Sequence, residues 1–278
     1  MKLSVIIVNH NLGMWLRQCI SALVSASKNI DYEMIVVDNA STDGSDKIIS
    51  EEFQNLRFIQ NKKNIGIAKA YNQAIEVSKG EYVLLVSPDT ITGKKSLEKL
   101  INFMDEHPLA GGATVRMVTH RGDYISSSKN GMGKAWAKLI KWTGLAKYFP
   151  KSHLFPQKIS HIADEYETAE IDVINSSFMM MRRAALNQIG LFDARFVMFG
   201  YNIDLSFRLK IEGFKNYYFP KTYVINFNVS QPAKHTWAYL KHFYGAMFIF
   251  VAKYLFEAPK LTLGNIAPVY RPQYEVER

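Results

Sequence analysis

Polar side chains that can bind a ligand follow each of four apolar runs in the first 90 residues. Asn9 and Asn11 come after the first run, and residues 38–43, 61–66 and 87–89 come after the second, third and fourth. One such group is ordinary, because turns favour Asn, Asp, Ser and Gly. Four together predict a single cleft whose carboxylates, amides and backbone N–H groups would hold a polar ligand.

Two of these groups have the chemistry of a nucleotide site. Asp38 follows a buried strand, and a carboxylate there accepts a hydrogen bond from a base imide N–H and disfavours bases that lack one. Its alternative role is that of a turn residue that caps the backbone N–H groups of Ser41 or Thr42. Asn64 and Gly66 lie at a strand-to-helix turn, where glycine allows a close backbone approach and the helix N-terminus attracts an anion. A simple capping turn explains the same pair.

The Ser87-Pro88-Asp89 turn offers one carboxylate after the fourth run. An oxygen ligand of this kind suits hard cations such as Mg²⁺ or Mn²⁺. The alternative is that Pro88 and Asp89 only turn the chain and cap the next helix. The seven histidines have no metal-ligand spacing.

The elements that would position these residues alternate between strand and helix over the first 100 residues. Apolar runs predict buried strands at 3–8, 34–37, 57–60 and 82–86, and helical spacing predicts helices at 14–24 and 65–77. Such alternation predicts an α/β fold, a mostly parallel sheet with flanking helices, in which ligands collect at the carboxyl ends of the strands.

The second half of the chain is less regular. The pattern predicts a strand at 113–118, an apolar run at 171–183, a helix at 199–209, and short strands at 217–219 and 223–227 around Pro220. Residues 120–168 lack clear periodicity, which predicts a long functional or mobile loop.

The composition is that of an ordinary globular protein. Of the 278 residues, 48% are hydrophobic and 21% charged, which allows one large α/β domain or two small ones. The formal net charge of +9 suggests an anionic partner. Cys19 is the only cysteine, so no intrachain disulfide can form, and its apolar helical surroundings predict a core residue. Uncharged apolar stretches stay below roughly 18 residues, so no spanning helix is expected, and the first short run is not expected to be a signal peptide.

The ordered motifs VIIVNHN, VVDNASTDGS, NIGIAKAYNQA and YVLLVSPDT resemble those of family-two glycosyltransferases with the GT-A (Rossmann-like) fold. INSSFMMMRRAALNQIGLFDARF and NIDLSFRLKIEGFKNYYFP resemble the acceptor half of these enzymes, and the set is most similar to bacterial rhamnosyltransferase-type enzymes of surface polysaccharide synthesis. The resemblance implies an inverting transfer from a UDP- or dTDP-sugar to a glycan or lipid-linked glycan acceptor. It implies nucleotide binding by Val8, Asn9, Asp38, Asn64, Gly66 and Asn72, a Mg²⁺ or Mn²⁺ ion at Asp89, and catalysis by Asp204.

The catalytic half departs from the family pattern. Where the family has Glu-Asp-x-Asp-Leu, one of whose first two acids is the base, residues 201–205 read Tyr-Asn-Ile-Asp-Leu. Neither Tyr201, with an ordinary pKa near ~10, nor Asn202 is a good base at neutral pH. Asp204 remains, but Arg208 lies four residues on, which predicts an ion pair on a helix.

The metal motif and a histidine also differ from the family. Of the usual Asp-x-Asp or Asn-Pro-Asp only Asp89 is present, and Asn226 or Asn228 stands where the family has a histidine, the nearest being His235. These losses leave a second hypothesis open: a degenerate, catalytically impaired member that binds a nucleotide sugar or glycan as a partner subunit. A third hypothesis, a basic nucleic-acid-binding protein, has no motif in its favour, and the acidic cleft argues against it.

We expect residues 1–230 to form the GT-A domain, with the nucleotide-sugar-binding half at 1–105 and the acceptor half at 106–230, and residues 231–278 to form a C-terminal amphipathic helical extension. Aromatics at 237–256, with Lys241 and Lys253, fit an anionic membrane surface, but such aromatics also pack on a catalytic domain or form a homodimer interface. The expected location is cytoplasmic, on the inner face of the membrane if this segment binds lipid.

Overall fold

In the computed structural model, the described residues are 1–129, 134–145, 165–229 and 236–256. They form nine strands and eight α-helices. In chain order these are β1 (Leu3–Asn9), α1 (Gly13–Ala26), β2 (Tyr32–Asp38), α2 (Ser45–Glu52), β3 (Arg57–Gln60), α3 (Ile67–Val77), β4 (Tyr82–Val86), β5 (Thr90–Thr92), α4 (Ser96–Glu106), β6 (Ala110–Val118), α5 (Lys134–Trp142), β7 (Ala169–Ile171), β8 (Phe178–Arg182), α6 (Arg183–Ile189), α7 (Tyr201–Ile211), β9 (Lys215–Asn226) and α8 (Trp237–Phe256).

The first half of the chain confirms the predicted alternation, with every predicted strand and helix boundary within two residues of the observed one. β3, β2, β1 and β4 are adjacent in that order and parallel. Asn9 pairs with Asp38, and Asp38 pairs with Gln60, so the ends of β1, β2 and β3 lie side by side. The polar groups that follow these strands therefore share one edge of the sheet, as the cleft prediction required.

The remaining strands make the sheet mixed rather than purely parallel. The order continues from β4 through β8, β6 and β9 to β5, and β7 also pairs with β9. β8 is antiparallel to β4 and β6, while β5 and β7 are antiparallel to β9. β1 to β4, β6 and β9 all run in one direction, so the prediction of an α/β fold with a mostly parallel sheet is confirmed.

The two short strands predicted around Pro220 are one strand, β9. Its pairing with β6 shifts register there, because Val115 pairs with Phe219 whereas Arg116 pairs with Tyr223. Proline lacks a backbone N–H but fits an irregularity of this kind, where no ladder hydrogen bond is required. The predicted break was therefore wrong.

Helices cover both faces of the sheet. Leu3, Val5 and Ile7 pack into a cluster with α1 and α4, whereas Ile6 and Val8 pack into a second cluster with α3, α7 and α8. Burial on both faces explains why β1 is a continuous apolar run rather than an alternating one.

Cys19 lies in the first of these clusters with no exposed surface. The prediction that it is a core residue is thereby confirmed.

The prediction of one long loop over residues 120–168 was wrong. The described parts contain a 3₁₀ helix at Ser126–Ser128 and α5, whose Trp136 and Ile140 are buried in the core. Residues 130–133 and 146–164 lie outside the described residues.

α8 is one continuous helix, and its Ala246, Met247, Phe250 and Tyr254 are buried in the same cluster as α7. Residues 231–235 and 257–278 of the predicted extension lie outside the described residues, and the boundary at residue 230 stays a prediction. Within the described ranges, no helix is long and apolar enough to cross a membrane.

Candidate functional site

Asn9 connects the ends of β1 and β2. Its Nδ2 lies 3.0 Å from Asp38 Oδ1, 3.1 Å from Ser41 Oγ and 2.9 Å from Ser45 Oγ. Val8, one residue earlier, is buried in β1. Asn9 Oδ1 is buried without a hydrogen-bond partner among the described residues. A buried acceptor without a donor costs roughly 1–3 kcal/mol, so a donor from a ligand or water would be stabilising at this point.

Asp38 is 1% exposed at the end of β2. Its Oδ1 accepts from Asn9, and its Oδ2 accepts from the backbone N–H of Ser41 at 2.9 Å. The turn contact considered as the alternative is therefore present. A carboxylate has about four acceptor positions, so these two bonds leave capacity for a base N–H. Base recognition by Asp38 stays a prediction.

The loops after β1 and β2 have unusual backbone conformations. Ala40 has φ 66° and Asn11 has φ 57°, in the left-handed region that residues other than glycine rarely adopt. Asn11 Oδ1 accepts the backbone N–H of Thr42 at 2.7 Å, so the two loops hold each other. Strain of this kind concentrates at functional sites.

A depression of about 490 Å³ lies beside these loops. It is lined by Ala40, Ser41, Thr42, Gln60, Asn61 and Lys62. Its lining combines hydroxyls, amides and one cation, which suits a polar anionic ligand.

Three asparagine amides join the turn after β2 to the loop before α3. Asn39 Nδ2 donates to Asn64 Oδ1 at 2.9 Å, and Asn61 Nδ2 lies 3.4 Å from Asn39 Oδ1. Asn39 Oδ1 also accepts the backbone N–H of Ile65, and Asn64 Oδ1 accepts that of Gly66, each at 3.0 Å. The structure thus brings Asn64 to the edge where the other polar groups meet. The sequence had not singled out Asn39, whose position directly after β2 was the available signal.

Both the backbone conformation of the turn and the packing of Val197 require a glycine at position 66. Its φ is 85°, and a Cβ there would meet Val197 atoms at 3.0 to 3.2 Å. The N–H of Ile67 donates to the Val197 carbonyl at 2.8 Å, while the N–H of Gly66 binds Asn64. These two N–H groups already have partners, so an anion at this helix N-terminus would have to bind other groups. A nucleotide contact at Gly66 stays a prediction.

Asn72 binds the backbone of Phe192 in both directions. Its Nδ2 donates to the Phe192 carbonyl at 2.8 Å, and its Oδ1 accepts the Phe192 N–H at 3.0 Å. The amide ties α3 to the segment between α6 and α7. If Asn72 also contacts the nucleotide, as predicted, its amide must do so while bonded to the Phe192 backbone or must exchange these bonds.

Asp89 lies beside Asn226, one of the two residues expected at the position of the family histidine. Ser87 Oγ donates to Asp89 Oδ1 at 2.6 Å, and Asn226 Nδ2 is 3.4 Å from the same oxygen. Asn226 Nδ2 also donates to Thr90 Oγ1 at 2.9 Å, and its Oδ1 accepts the Asn228 N–H. His235 lies outside the described residues.

These residues do not fit a cation that the protein holds. Asp89 is 0% exposed, and its Oδ1 accepts a hydrogen bond from Ser87. In the described part of the chain, no group of three or more His, Cys, Asp and Glu side chains could hold a metal ion. The Mg²⁺ or Mn²⁺ site predicted at Asp89, which needs a diphosphate and water as further ligands, stays a prediction.

Asp204 is fully buried on α7 and accepts three hydrogen bonds. Arg208 Nε lies 2.9 Å from Oδ2, while Lys253 Nζ and Tyr254 OH lie 2.6 and 2.7 Å from Oδ1. The ion pair predicted with Arg208 is confirmed. Two cations and a hydroxyl occupy both oxygens of the buried carboxylate, so an acceptor hydroxyl has no free approach to them. Catalysis by Asp204 stays a prediction, and this geometry disfavours it.

The two residues before it offer no base either. Tyr201 packs between the rings of Tyr71 and Phe192, with centroids 5.9 and 5.5 Å away, and burial raises the pKa of Tyr201 to about 12. Asn202 Nδ2 donates to the Ile174 carbonyl at 2.9 Å. Both side chains belong to the packing of α7.

Sequence reasoning missed Lys253, Tyr254 and Asp193 as members of this cluster. Lys253 lies 3.1 Å from Asp193 Oδ2 as well as 2.6 Å from Asp204 Oδ1, so the expectation that it faces lipid was wrong. The hydrogen bonds from Arg195 and Lys253 outweigh burial and hold the pKa of Asp193 well below its usual range. No local pattern indicates these contacts, because Lys253 and Asp204 are 49 residues apart.

Comparison with known proteins gives a family match, one relative that is similar over most of the chain and one that is similar over a shorter segment. The model for "Glycosyl transferase family 2" matches residues 4–190. The chain is 23% identical over 266 residues to "N-acetylglucosaminyl-diphospho-decaprenol L-rhamnosyltransferase" of Mycobacterium tuberculosis (strain ATCC 25618 / H37Rv), across 90% of this chain and 84% of that protein. It is 34% identical over 110 residues to "Poly(ribitol-phosphate) beta-N-acetylglucosaminyltransferase TarP" of Staphylococcus aureus (strain N315), across 38% of this chain and 34% of that protein.

Among solved structures, S. aureus TarS 1–349 in complex with UDP-GlcNAc has a TM-score of 0.62 and 22% identity to this chain. The match covers 91% of this chain and 66% of that structure. The likeness shows a shared fold. The chain spans only about a third of TarP and just under two thirds of the TarS fragment.

Proposed function

The chain belongs to glycosyl transferase family 2, and on that premise we propose that it is an inverting glycosyltransferase that moves a sugar from a UDP- or dTDP-sugar to a glycan or lipid-linked glycan acceptor in cell-surface polysaccharide synthesis. The observation that carries the proposal is the buried Asn9–Asp38 pair at the carboxyl ends of parallel strands, beside a polar depression. Ligands of such sheets bind at this edge.

The donor nucleotide is recognised first through its base. Asp38 accepts the imide N–H of uracil or thymine with its remaining lone pairs, while Asn9 and the Ser41 N–H hold the carboxylate in place. Cytosine has an acceptor nitrogen in place of this N–H, so a cytidine nucleotide would set a lone pair against the carboxylate. The names of relatives agree with a nucleotide-sugar donor, since the matched TarS structure is described as a complex with UDP-GlcNAc.

The negative charge of the diphosphate requires compensation. Lys62 lines the depression and is exposed, so its ammonium group can pair with phosphate oxygens. No step of this proposal depends on a metal ion.

The acceptor class follows from the relative that is similar over most of the chain. The mycobacterial relative's name describes a lipid-linked diphospho-decaprenol acceptor, and we propose an acceptor of that chemical class for this chain. In the transfer, an acceptor hydroxyl attacks the anomeric carbon in line, the bond to the diphosphate breaks, and the hydroxyl proton passes to a base. Tyr201, Asn202 and Asp204 are poor candidates for that base in their observed surroundings.

The lack of a suitable base among Tyr201, Asn202 and Asp204 favours a second candidate. This is a catalytically impaired member that binds the donor or a glycan as a partner subunit. Loss of a general base costs roughly 10²–10⁴-fold in rate, whereas donor binding does not depend on it. Turnover therefore separates the two candidates, because both bind the nucleotide.

Calorimetry with UDP, dTDP and CDP tests donor recognition in both cases. UDP and dTDP should bind more tightly than CDP, and Asp38→Asn should weaken UDP binding by ~1–3 kcal/mol, roughly five- to hundredfold. Asp31→Asn is the matched control, because Asp31 is 69% exposed and pairs only with the N-terminal amine in an ion pair. Equal affinity for UDP and CDP in the wild type would refute the role of Asp38, whatever the stability of the variant.

Transfer or hydrolysis is then measured across a panel of UDP- and dTDP-sugars with a lipid-diphosphate acceptor. Turnover of one donor supports the enzyme. Tight UDP binding without turnover of any donor supports the impaired binder.

A further inference from the structure

One side of α8 is apolar and exposed. Trp237, Tyr244 and Phe248 are 81%, 62% and 74% exposed, and Leu240 and Leu255 lie on the same side. Lys241 is also exposed there. The spacing of three, four and seven residues places this set on one helix face, which we call the α8 outer face.

The opposite side of α8 holds the helix on the domain. Phe250 packs edge-on against Phe207 and Trp136, with ring centroids 5.5 Å away in each case. Lys253 and Tyr254 bind the buried carboxylate of Asp204. The outer face is therefore presented by a fixed helix, and the core of the domain does not need its side chains.

The charged side chains of α8 and of the neighbouring α5 have one sign. α8 contains no acidic residue, and neither does α5, which packs beside it through Trp136 and Phe250. α5 adds the exposed Lys138 and Lys141 and a tryptophan, Trp142, that is 85% exposed. The formal net charge of the whole chain is +9. An anionic surface complements this arrangement.

We propose that the α8 outer face docks on an anionic lipid surface, with the helix lying in the plane of the interface. Aromatic side chains with one polar end are favoured at the boundary between headgroups and acyl chains, and lysines pair with the headgroups. α8 is too polar to cross the bilayer, so it lies on the surface. The inference deepens the proposed function, since a lipid-linked acceptor would be met at that surface.

A second copy of the chain is the less favoured occupant. A two-fold interface built on α8 would bring Lys241 of each copy near the same basic surface of the other, and no acid on α8 or α5 is available to compensate. Headgroup phosphates compensate these charges without any change in the protein.

The test is cosedimentation of the full chain with vesicles of phosphatidylcholine alone or mixed with phosphatidylglycerol. Binding should require phosphatidylglycerol and weaken as salt is raised. The double variant Tyr244→Ser/Phe248→Ser should bind at least ~10-fold more weakly, and Lys241→Gln about fivefold more weakly. The matched control is Leu109→Ser/Tyr223→Ser, which alters two residues that are 55% and 53% exposed elsewhere on the surface and should leave binding unchanged.

Vesicle binding needs neither donor nor turnover, so its failure is distinguishable from failure of the proposed enzyme. Absence of binding by the parent chain, or equal binding by the outer-face and control variants, overturns the inference. A parent dimer that the outer-face variant converts to a monomer in sedimentation velocity, without vesicle binding by either, also overturns it and assigns the face to a second copy. If the double variant unfolds, the salt dependence and Lys241→Gln decide.

Discussion

Replacing Asp204 by asparagine distinguishes a structural carboxylate from a catalytic one. Asparagine has nearly the same shape, so the substitution removes the negative charge and turns one acceptor into a donor. The side chain faces Arg208, Lys253 and Tyr254. At least one of these donors would then meet the new amide N–H group instead of an oxygen.

The magnitude follows from the partners that remain. Removing one member of a buried ion pair costs about 3–5 kcal/mol, because the other charge is left uncompensated. Here Arg208 keeps its bonds to the carbonyls of residues 189–191, and Lys253 keeps Asp193. Both cations are also slightly exposed, at 15% and 18%. We therefore expect the lower end, a loss of about 3 kcal/mol in the free energy of unfolding.

The assay is urea denaturation of the wild type, Asp204→Asn, Lys253→Met and the double variant, with donor affinity and transfer measured on each. If the carboxylate anchors α8, Lys253→Met also lowers stability, and the two changes are coupled by about 1–3 kcal/mol in the double-mutant cycle. Transfer should then fall to similar extents in the two single variants. An unfolding free energy that Asp204→Asn leaves within ~0.5 kcal/mol of the wild type, together with a loss of transfer confined to that variant, would refute the structural role.

Two further predictions rest on the other carboxylates. Because the folded-state pKa of Asp193 lies below its ordinary value, its contribution to stability is present above about pH 4 and is lost as the pH falls further, so the difference in unfolding free energy between the wild type and Asp193→Asn should shrink from pH 7 to pH 3. A constant difference over that range would show that Asp193 is not a stabilising anion. Because Asp89 is buried and hydrogen-bonded, UDP affinity should change less than about twofold between EDTA and Mn²⁺. A Mn²⁺-dependent gain that disappears in Asp89→Asn would restore the metal site.

The donor half of the fold could be predicted because its signals are local. Each parallel strand is a short apolar run, and the polar residues that follow it must lie at the carboxyl edge of the sheet. Asn9 and Asp38 are 29 residues apart, yet the parallel register of β1 and β2 alone makes them neighbours. The cleft could therefore be predicted from the parallel order of the strands, whereas the residue types alone would not have shown that these side chains meet.

The rest of the site depends on contacts between distant segments, which periodicity does not encode. Asn72 reaches Phe192 across 120 residues, and Asn226 reaches Asp89 across 137. Both asparagines were singled out by resemblance, but these two pairings were not. Gly66 shows the same limit, because the atoms that exclude a side chain there belong to Val197. A glycine can be required by packing even where a ligand would also require it.

α8 was hard to interpret because it is apolar on two sides for two reasons. One side carries Phe250 and Tyr254 into the core, and the other exposes Tyr244 and Phe248. A single apolar stripe along a helix predicts one buried face. The sequence of α8 has no such stripe, so it fits a core helix and a surface anchor equally. Only the packing shows that both descriptions apply, each to its own side.

Asp204 illustrates what a retained motif residue means when its neighbours differ. Tyr201 and Asn202 stand where acids would serve as a base, but Asp204 still matches the family pattern. It accepts three hydrogen bonds, and two of the donors come from α8. The carboxylate that would have to accept a proton is thus the one that holds the outer face of α8 in position. Its presence is explained by the anchoring of that helix, and it is not by itself evidence that the chain transfers sugar.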